Sequence, residues 1–243
     1  QYISYVTGLV KGDLGTSLRT KRPVLTEVQG RYMNTVQLTL LSLTWSVIAG
    51  VLIGVWSGRN RSKWQDYTGM TVAVSGISMP SFWIGFMLIM VFAVKYRLLP
   101  TTGAGSFKNL ILPSITLGVS IAAIIARFTR SSVIEVLKED YVRTARAKGL
   151  REKTVIWKHV FRNCMISVVT VVGLQFGFLL GGSVVTETVF AFPGLGSLLI
   201  ESVNYRDYPA IQSLILIFSL HFVLINLVVD VLYAVLNPEI QLS

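Results

Sequence analysis

The sequence predicts an all-α membrane protein, a polytopic transmembrane helical bundle that forms one domain. Of its 243 residues, 52% are hydrophobic and only 14% are charged, and the mean hydropathy is +0.62. A soluble domain of this length is far less apolar. In lipid, only helices and closed barrels satisfy the hydrogen-bonding groups of the backbone. Because the alternation typical of barrel strands is absent, we expect helices.

Five apolar runs are long enough to cross a hydrocarbon core of about 30 Å, which takes roughly 20 residues. These runs cover residues 34–57, 67–95, 110–128, 164–185 and 211–236. The second run contains Pro80, which lacks a backbone donor and predicts a kinked or tilted helix. Pro113 falls near the start of the third run, where a helix tolerates proline. In the fourth run Gly173, Gly177 and Gly181 share one helix face, which favours close helix packing over a pore-lining face.

The remaining segments complete the predicted topology. Residues 1–33 form an extracytoplasmic N-terminal segment, and residues 34–236 form the transmembrane domain, which includes the polar connection at residues 134–163. The chain opens at Gln1 without an initiator methionine, so we expect an upstream segment. Residues 186–209 are typical of an external loop that contains a turn and one short helix.

The distribution of charge sets the orientation and argues against nucleic-acid binding. The formal net charge is +10, but the basic residues lie mostly between apolar runs and not along exposed elements. Residues 58–66 and 134–163 carry half of them, whereas the two opposite loops carry few, so these connections are predicted to face the cytoplasm. The N-terminal segment is also basic, which conflicts with this orientation, although long segments are weak topological signals.

Few residues suggest chemistry. The single cysteine, Cys164, excludes an intrachain disulfide and a multi-cysteine metal site. His159 and His221 lie far apart in sequence, and we predict neither catalytic residues nor a metal site. The acidic residue within an apolar run, Asp230, is a functional candidate, but its position near the cytoplasmic end favours a helix-to-helix hydrogen bond or a pair with an arginine such as Arg127 or Arg130.

Residues 134–163 form a polar, mostly basic island between two apolar runs. From Ile134 onward, apolar or small residues recur every three or four positions and predict one amphipathic helix. Gly149 followed by Leu150 is typical of a helix C-terminus, and Thr154 to Phe161 predict a second short helix. The two short helices would protrude from the membrane helices on the cytoplasmic side, where they could lie against anionic lipid headgroups. Their acidic residues, and their small residues beside Gly149, favour insertion into the groove of another protein.

The run DYVRTARAKGL at residues 140–150, followed by HVFRN, resembles the cytoplasmic coupling loop of the permease subunits of bacterial ABC importers. In that family a Glu-Ala-Ala triplet precedes a glycine. Here Arg143 and Thr144 replace the first two members, whereas Ala145 and Gly149 match. This departure is typical of the dipeptide, oligopeptide and nickel branch, with which GDLGTSLRTKRPV, VFAFPGLGSLL and RDYPAIQ also agree. The chain is most similar to the first permease of dipeptide or glutathione importers.

The resemblance implies a type I ABC importer permease of the bacterial cytoplasmic (inner) membrane, with five of the family's six spans visible. It implies a second homologous permease, two cytoplasmic ATPases that hold ATP and Mg, and an extracytoplasmic substrate-binding protein. No cofactor is expected on this chain, which lacks the GxxxxGK[ST] phosphate loop. We expect transport of a dipeptide, oligopeptide or glutathione, the alternative being nickel or a metal chelate. An ion-coupled secondary transporter is a further alternative, but neither repeated halves nor midplane charges are evident.

The resemblance also suggests roles for individual residues. Those expected to couple to the ATPase are Tyr141, Arg143, Ala145, Arg146, Lys148, Gly149 and Leu150. The polar residues that could line the translocation path are Ser75, Ser78, Gln175 and His221. Phe190, Phe192 and Tyr205 could gate the outer mouth or contact the binding protein, and a packed external cap explains them equally well.

Overall fold

A computed structural model describes residues 12–236, apart from the side chains of residues 166, 167, 180–182, 230 and 232–236. Within this range the regular structure is helical, and a single antiparallel bridge joins Thr16 to Pro23. The helices are α1 Val24–Arg59, α2 Trp64–Ser78, α3 Ser81–Leu88, α4 Phe107–Val136, α5 Asp140–Ala147, α6 Phe161–Val189, α7 Leu195–Asn204 and α8 Tyr208–Leu236. The π-helical segment Ile89–Lys95 follows α3, and a second π-helical segment, Val155–Val160, precedes α6.

The helices account for the predicted membrane crossings. Three of them, at Val24–Arg59, Phe107–Val136 and Tyr208–Val229, are long and apolar enough to span a membrane. The number rises to five if each of two bent helix pairs counts as one span. The all-helical prediction is therefore confirmed, and each of the five apolar runs overlaps one of these five segments.

The structure moves two predicted boundaries and confirms one break. Helix α1 has 36 residues, or about 54 Å at 1.5 Å per residue, so the proposed domain boundary at 33/34 falls inside one helix. The break at Pro80 is confirmed, because Met79 is extended between α2 and α3. Pro113 lies inside α4 and not near its start, because Ser106 accepts the backbone N–H of Asn109 at 3.0 Å and starts the helix early.

The chain divides into two compact units, each assembled from three stretches of sequence. The first unit comprises Gln1–Leu41, Ser81–Leu117 and Phe178–Leu224. The second unit comprises Ser42–Pro80, Gly118–Gly177 and Ile225–Ser243.

In the first unit, the short helix α7 packs against α1 and α8. The buried apolar residues of this core are Val24, Val28, Leu195, Leu198, Ala210 and Leu214. The chain before α1 is tied to the same core, since Ser213 donates its hydroxyl to the carbonyl of Leu14 at 2.9 Å. The N-terminal segment and the loop around α7 thus form one packed structure.

In the second unit, glycines let α1 approach α4 closely. Gly50, Gly54 and Gly58 are spaced by four residues and form a ridge along α1. A Cβ atom at Gly50 would lie 2.7 Å from the carbonyl oxygen of Ala122, and one at Gly54 would lie 2.7 Å from that of Ala126. Small residues at this spacing allow helix backbones to meet in membranes. We call Gly50, Gly54 and Gly58 the glycine ridge.

The sequence predicts close packing at a different glycine motif, in the fourth run. There the structure supports the prediction at Gly173, where an added Cβ would overlap the side chain of Val229. The sequence prediction does not include the glycine ridge, because length and hydropathy identify the first run as a span without showing which of its faces packs against another helix.

We predict that Gly54→Ala destabilises the protein, because its Cβ must push α1 away from the backbone of α4. Overpacking of this kind costs about 1–3 kcal/mol. The matched control is Gly30→Ala in the same helix, where nothing lies within 4 Å of an added Cβ. Thermal unfolding of the detergent-solubilised protein should show a lower midpoint for Gly54→Ala and an equal or higher one for Gly30→Ala. Equal midpoints for both variants would contradict the close approach.

Candidate functional site

The polar island folds as one short helix joined to the start of a long one. Helix α4 continues to Val136, and the chain turns before α5 begins at Asp140, so Ile134 and Leu137 do not share a helix with Tyr141. The predicted helix from Ile134 is therefore wrong. Glu139 is extended at the N-cap, and its carbonyl accepts the N–H of Val142 at 3.0 Å. Acidic residues at this position stabilise a helix N-terminus and explain the new start.

The second predicted helix, Thr154 to Phe161, is not a separate element. It belongs to a segment that runs from Glu152 through the π-helical residues 155–160 into α6. The buried side chains of Val155, Ile156 and Val160 give this segment an apolar face that leads into the membrane helix. The coupling segment thus comprises α5, the turn after it and the cytoplasmic beginning of α6.

Gly149 ends α5 in a left-handed conformation. Its φ angle is +75°, which glycine adopts without strain. The N–H of Leu150 donates to the carbonyl of Ala145 at 3.3 Å, and that of Gly149 donates to the carbonyl of Arg146 at 2.9 Å. This pattern closes a helix C-terminus and confirms the predicted cap. The cap turns the chain sharply and leaves Leu150 exposed.

The side chains of α5 divide into buried and exposed sets. Val142 and Ala145 are buried within the chain, with Ala145 only 6% exposed. Ala145 was expected to contact the ATPase, but the helix directs this small residue inward, so that expectation is corrected. Among the exposed residues of the segment are five of the predicted contacts, Tyr141, Arg143, Lys148, Gly149 and Leu150. We call these five residues the coupling surface.

Two hydrogen-bonded contacts brace the coupling surface from within. The guanidinium of Arg146 donates to both carboxylate oxygens of Glu152, at 3.2 and 2.8 Å. Arg146 therefore holds α5 against the next helical turn, and because its side chain is 42% exposed, the expected contact with the ATPase stays a prediction. The side-chain amide of Asn163 donates to the hydroxyl of Tyr141 at 2.8 Å. Both contacts connect α5 to the segment that becomes α6.

The predicted path residues are divided between the two units. Ser75 and Ser78 line a cavity of about 660 Å³ in the second unit, and their hydroxyls donate to carbonyls of their own helix. Gln175 is half-buried in α6. In the first unit, Nδ1 of His221 lies 2.7 Å from the carbonyl of Ile217, so Nδ1 carries the proton. Nε2 then accepts the hydroxyl proton of Tyr32 at 2.6 Å.

An ion pair that the sequence did not predict lines the same cavity as the two serines. Asp66 is only 3% exposed, and its oxygens accept bonds from Nε and Nη2 of Arg130 at 2.6 and 2.7 Å. The predicted partner of Arg130 was Asp230, whose side chain lies outside the described residues. Asp66 was assigned to a loop, but α2 already begins at Trp64. The useful signal was an acidic residue at the start of an apolar run, where it suits a helix N-terminus.

A second overlooked carboxylate lies buried in the first unit. Glu187 accepts the hydroxyl of Thr35 at 2.8 Å and the N–H of Ser197 at 3.0 Å. Thr35 in turn accepts the N–H of Leu195 at 2.8 Å. Glu187 and Thr35 thus accept backbone N–H groups at the N-terminus of α7, which have no partner within the helix. Glu187 was placed in an external loop, so its burial was not foreseen.

The aromatic residues near α7 take two different positions. Phe190 and Phe192 are each 1% exposed, so the packed-cap interpretation describes them, and a direct contact with a binding protein does not. Tyr205 is 61% exposed, and the guanidinium carbon of Arg19 lies 4.2 Å from its ring centre. Of the three predicted contact residues, only Tyr205 is available on the surface.

Charged groups hold the N-terminal segment around this aromatic residue. Glu201 pairs with Arg19 at 3.0 Å and with Arg31 at 3.1 Å. Burial raises the pKa of Glu201, but the guanidinium groups of Arg31 and Arg19 outweigh burial and bring this pKa below its ordinary value. Asp207 accepts bonds from the hydroxyl of Ser17 at 2.5 Å and from the N–H of Leu18 at 3.1 Å. These contacts order an exposed face in the first unit.

Comparison with known proteins identifies the architecture. Residues 50–242 match the family described as binding-protein-dependent transport system inner membrane component. The chain belongs to this family. This permease is an inner membrane subunit of an ABC importer, and it is a transport protein and not itself an enzyme.

Curated relatives cover nearly the whole permease. It is 56% identical over 241 residues to the glutathione transport system permease protein GsiC of Escherichia coli strain K12, an alignment that covers 99% of this chain and 79% of that protein. The glutathione transport system permease protein GsiC of Salmonella typhi is 54% identical over 241 residues, which again cover 99% of this chain and 79% of that protein. Almost every residue of the permease thus has a counterpart in these proteins.

Solved structures show the same fold at low identity. An inward-facing structure of the MetNI methionine ABC transporter gives a TM-score of 0.76 at 17% identity and covers 88% of the permease and 97% of that chain. An amino acid ABC transporter with histidines gives a TM-score of 0.67 at 16% identity, with 85% and 92% covered. These neighbours confirm the predicted type I ABC importer fold.

We predict that Asp207→Asn loosens the N-terminal segment of the permease, because the amide offers fewer acceptor lone pairs to Ser17, Leu18 and Arg19. Loss of a charged hydrogen-bond acceptor costs about 1–3 kcal/mol, which corresponds to roughly 10–100-fold faster amide exchange. Hydrogen exchange at Leu18 and Arg19 measures the change. Asp140→Asn is the control, since the Asp140 side chain is 95% exposed.

The same contact should depend on pH. Burial opposes the shift, but bonds from Ser17, Leu18 and Arg19 lower the pKa of Asp207 below its ordinary value. A lowered pKa stabilises the folded contact above the ordinary value of about 3.9, and this stabilisation is lost as the pH falls through the lowered pKa. Exchange at Leu18 should therefore remain slow from neutral pH down to about pH 5. Loosening of the segment between about pH 8 and 6 would contradict this assignment.

Proposed function

We propose that the permease forms half of the translocation path of an ATP-driven importer for glutathione or other short peptides. The observation that carries this proposal is the 56% identity to glutathione transport permeases along 99% of the chain. A second, homologous permease would complete the path. ATP and Mg would be held by two cytoplasmic ATPase subunits, since a phosphate loop is not found in this sequence.

The coupling surface would dock into a groove of one ATPase subunit. It combines an apolar side chain, Leu150, with the open space beside Gly149, where nothing lies within 4 Å of the position that a Cβ would take. Arg143 and Lys148 border this apolar part with positive charge. An apolar centre with a charged margin is the usual composition of a protein docking surface. The charges would set the orientation of docking and the apolar centre its strength.

The bracing of the segment supports a mechanical role. Helix α5 follows α4 after a short turn, and the contacts of Arg146 with Glu152 and of Tyr141 with Asn163 attach it to the start of α6. A displacement of α5 by the ATPase would therefore be passed to two membrane helices of the second unit. Such a displacement would bias the permease between outward-open and inward-open states.

The exposed face around Tyr205 would receive the extracytoplasmic binding protein. Arg19, Arg31 and Glu201 form a charged network beside the ring, and Tyr205 provides a large exposed contact area. Tyrosine beside arginine is favourable at protein interfaces. The buried Phe190 and Phe192 would support this face from below without touching the partner.

We predict that Gly149→Val uncouples ATP hydrolysis from uptake, because a β-branched residue does not adopt the left-handed conformation that ends α5. Strain of about 1–2 kcal/mol per residue would shift the turn and displace Leu150. Gly149→Asn is the matched control, since asparagine tolerates a positive φ. The assembled importer, reconstituted in liposomes with its ATPases and binding protein, allows ATP hydrolysis and glutathione uptake to be measured together.

Uptake per ATP hydrolysed should fall at least about tenfold in Gly149→Val and remain within about twofold of the parent in Gly149→Asn. Co-purification of the ATPase subunits with each variant separates weak docking from failed transmission. A Gly149→Val importer with unchanged uptake and hydrolysis would show that the coupling assignment is wrong.

A further inference from the structure

The cavity in the second unit has a polar face and a net positive charge. It has a volume of about 660 Å³ and lies between α2 and α4. Its polar lining residues include Asp66, Tyr67, Ser75, Ser78, Arg127 and Arg130. Two guanidinium groups and one carboxylate give a net charge of one positive unit. What the cavity can bind depends on which of the two guanidinium groups the carboxylate neutralises.

Among the described side chains, Asp66 neutralises Arg130 and leaves Arg127 without a carboxylate partner. Arg130 is held by both oxygens of Asp66, so its charge is balanced within the chain. Arg127 is exposed, and among the side chains that the structure describes none of the carboxylates lies within 4.0 Å of it. Its guanidinium lies 5.9 Å from the ring centre of Phe128, a contact that leaves its N–H donors accessible. A guanidinium with free donors recognises carboxylates.

The cavity follows α2 from Asp66 to Ser78. Ser78 lies 14 residues after Trp64, the first residue of α2, and is therefore about 21 Å from the start of that helix. Arg127 lies nine residues before the end of α4, or about 14 Å. Arg127 also lies at the end of the third apolar run, residues 110–128, so its guanidinium is at the cytoplasmic end of the predicted span.

The two serines add acceptors to this site. Their hydroxyl protons are donated to carbonyls of α2, at 2.7 Å for Ser75 and 3.1 Å for Ser78. Their oxygen lone pairs can therefore accept N–H groups from a solute. With Arg127, the cavity offers donors for a carboxylate and acceptors for an amide or ammonium group. Peptides carry both kinds of group.

We propose that this cavity is an anion-selective exit vestibule, in which Arg127 receives a carboxylate of the transported solute before its release into the cytoplasm. The inference rests on the proposed function, since it assigns the cavity to the translocation path. Ser75 and Ser78 orient the peptide groups of the solute, and the Asp66–Arg130 pair fixes α2 against α4. Selection by charge on the cytoplasmic side thus adds to whatever selection the binding protein makes.

The test uses thiol labelling, for which the sequence is well suited. Cys164 is the single cysteine and is buried, so Cys164→Ala provides a cysteine-free background. In that background Ser78→Cys places a thiol in the cavity, and Val72→Cys places one on the exposed surface of α2 outside it. The assembled importer in inside-out vesicles is labelled with an anionic or a cationic methanethiosulfonate. Each rate is divided by the rate of that reagent with free cysteine.

At Ser78→Cys the anionic reagent should react severalfold faster than the cationic one, because Arg127 gives the cavity that Ser78 also lines its net positive charge. Arg127→Gln should bring the ratio close to one, and Arg127→Lys should retain the preference. Val72→Cys should react slowly with both reagents. S-methylglutathione keeps both carboxylates of glutathione and lacks its thiol, and it should slow anionic labelling at Ser78→Cys but not in the Arg127→Gln background.

Three results would overturn the proposal. Labelling by neither reagent would show that the second permease covers the cavity. An anionic preference that disappears only when the vesicles contain anionic lipid would assign Arg127 to a headgroup. Equal rates with both reagents would show that the cavity does not select by charge.

A failure of the vestibule can be distinguished from a failure of the proposed function. If uptake and ATPase coupling persist in these variants, the proposed function stands and only the vestibule fails. Loss of the ATPases from the purified complex would contradict the proposed function itself.

Discussion

The close approach of α1 to α4 along the glycine ridge is the contact on which the second unit depends. Cβ atoms at Gly50 and Gly54 would lie within 2.7 Å of backbone carbonyls of α4, so a larger residue cannot be accommodated without separating the helices. This contact fixes α4, which carries Arg127 and Arg130 and leads into α5. The position of the cavity and that of the coupling surface therefore follow from the same helix packing.

The Asp66–Arg130 pair then fixes α2 against α4. Two short hydrogen bonds join groups that are 64 residues apart in sequence. A buried pair of this kind adds little net stability compared with apolar packing, but removal of one partner leaves an uncompensated charge and is costly. The pair therefore specifies how α2 is aligned more than it strengthens the fold. That alignment brings Ser75 and Ser78 to the cavity that Arg127 also lines.

Local patterns in the sequence were sufficient for much of the fold. Hydropathy located the membrane helices, Pro80 located the break after α2, and Gly149 located the end of α5. Each of these signals is contained within a few neighbouring residues. The coupling segment was recognised from its motif, although α5 proved shorter than predicted and the second helix proved to be the start of α6.

The features that were missed depend on partners distant in sequence. Asp66 and Glu187 are buried because each is paired, Asp66 with Arg130 and Glu187 with Thr35, which lies 152 residues away. A hydropathy profile assigns such carboxylates to loops, because it counts the cost of burial and cannot include the partner that offsets it. The inward position of Ala145 and the burial of Phe190 likewise result from tertiary packing. No local pattern distinguishes these residues from exposed ones.

The central claim, that the exposed end of α5 contacts an ATPase subunit, is tested most directly by site-specific photocrosslinking. Benzoylphenylalanine replaces Leu150 in the assembled importer and, as a control, Leu98, which is 64% exposed in the loop before α4. We expect a crosslink from position 150 to an ATPase subunit whose yield changes with bound nucleotide, and no ATPase crosslink from position 98. Crosslinking of position 150 to lipid alone would contradict the claim.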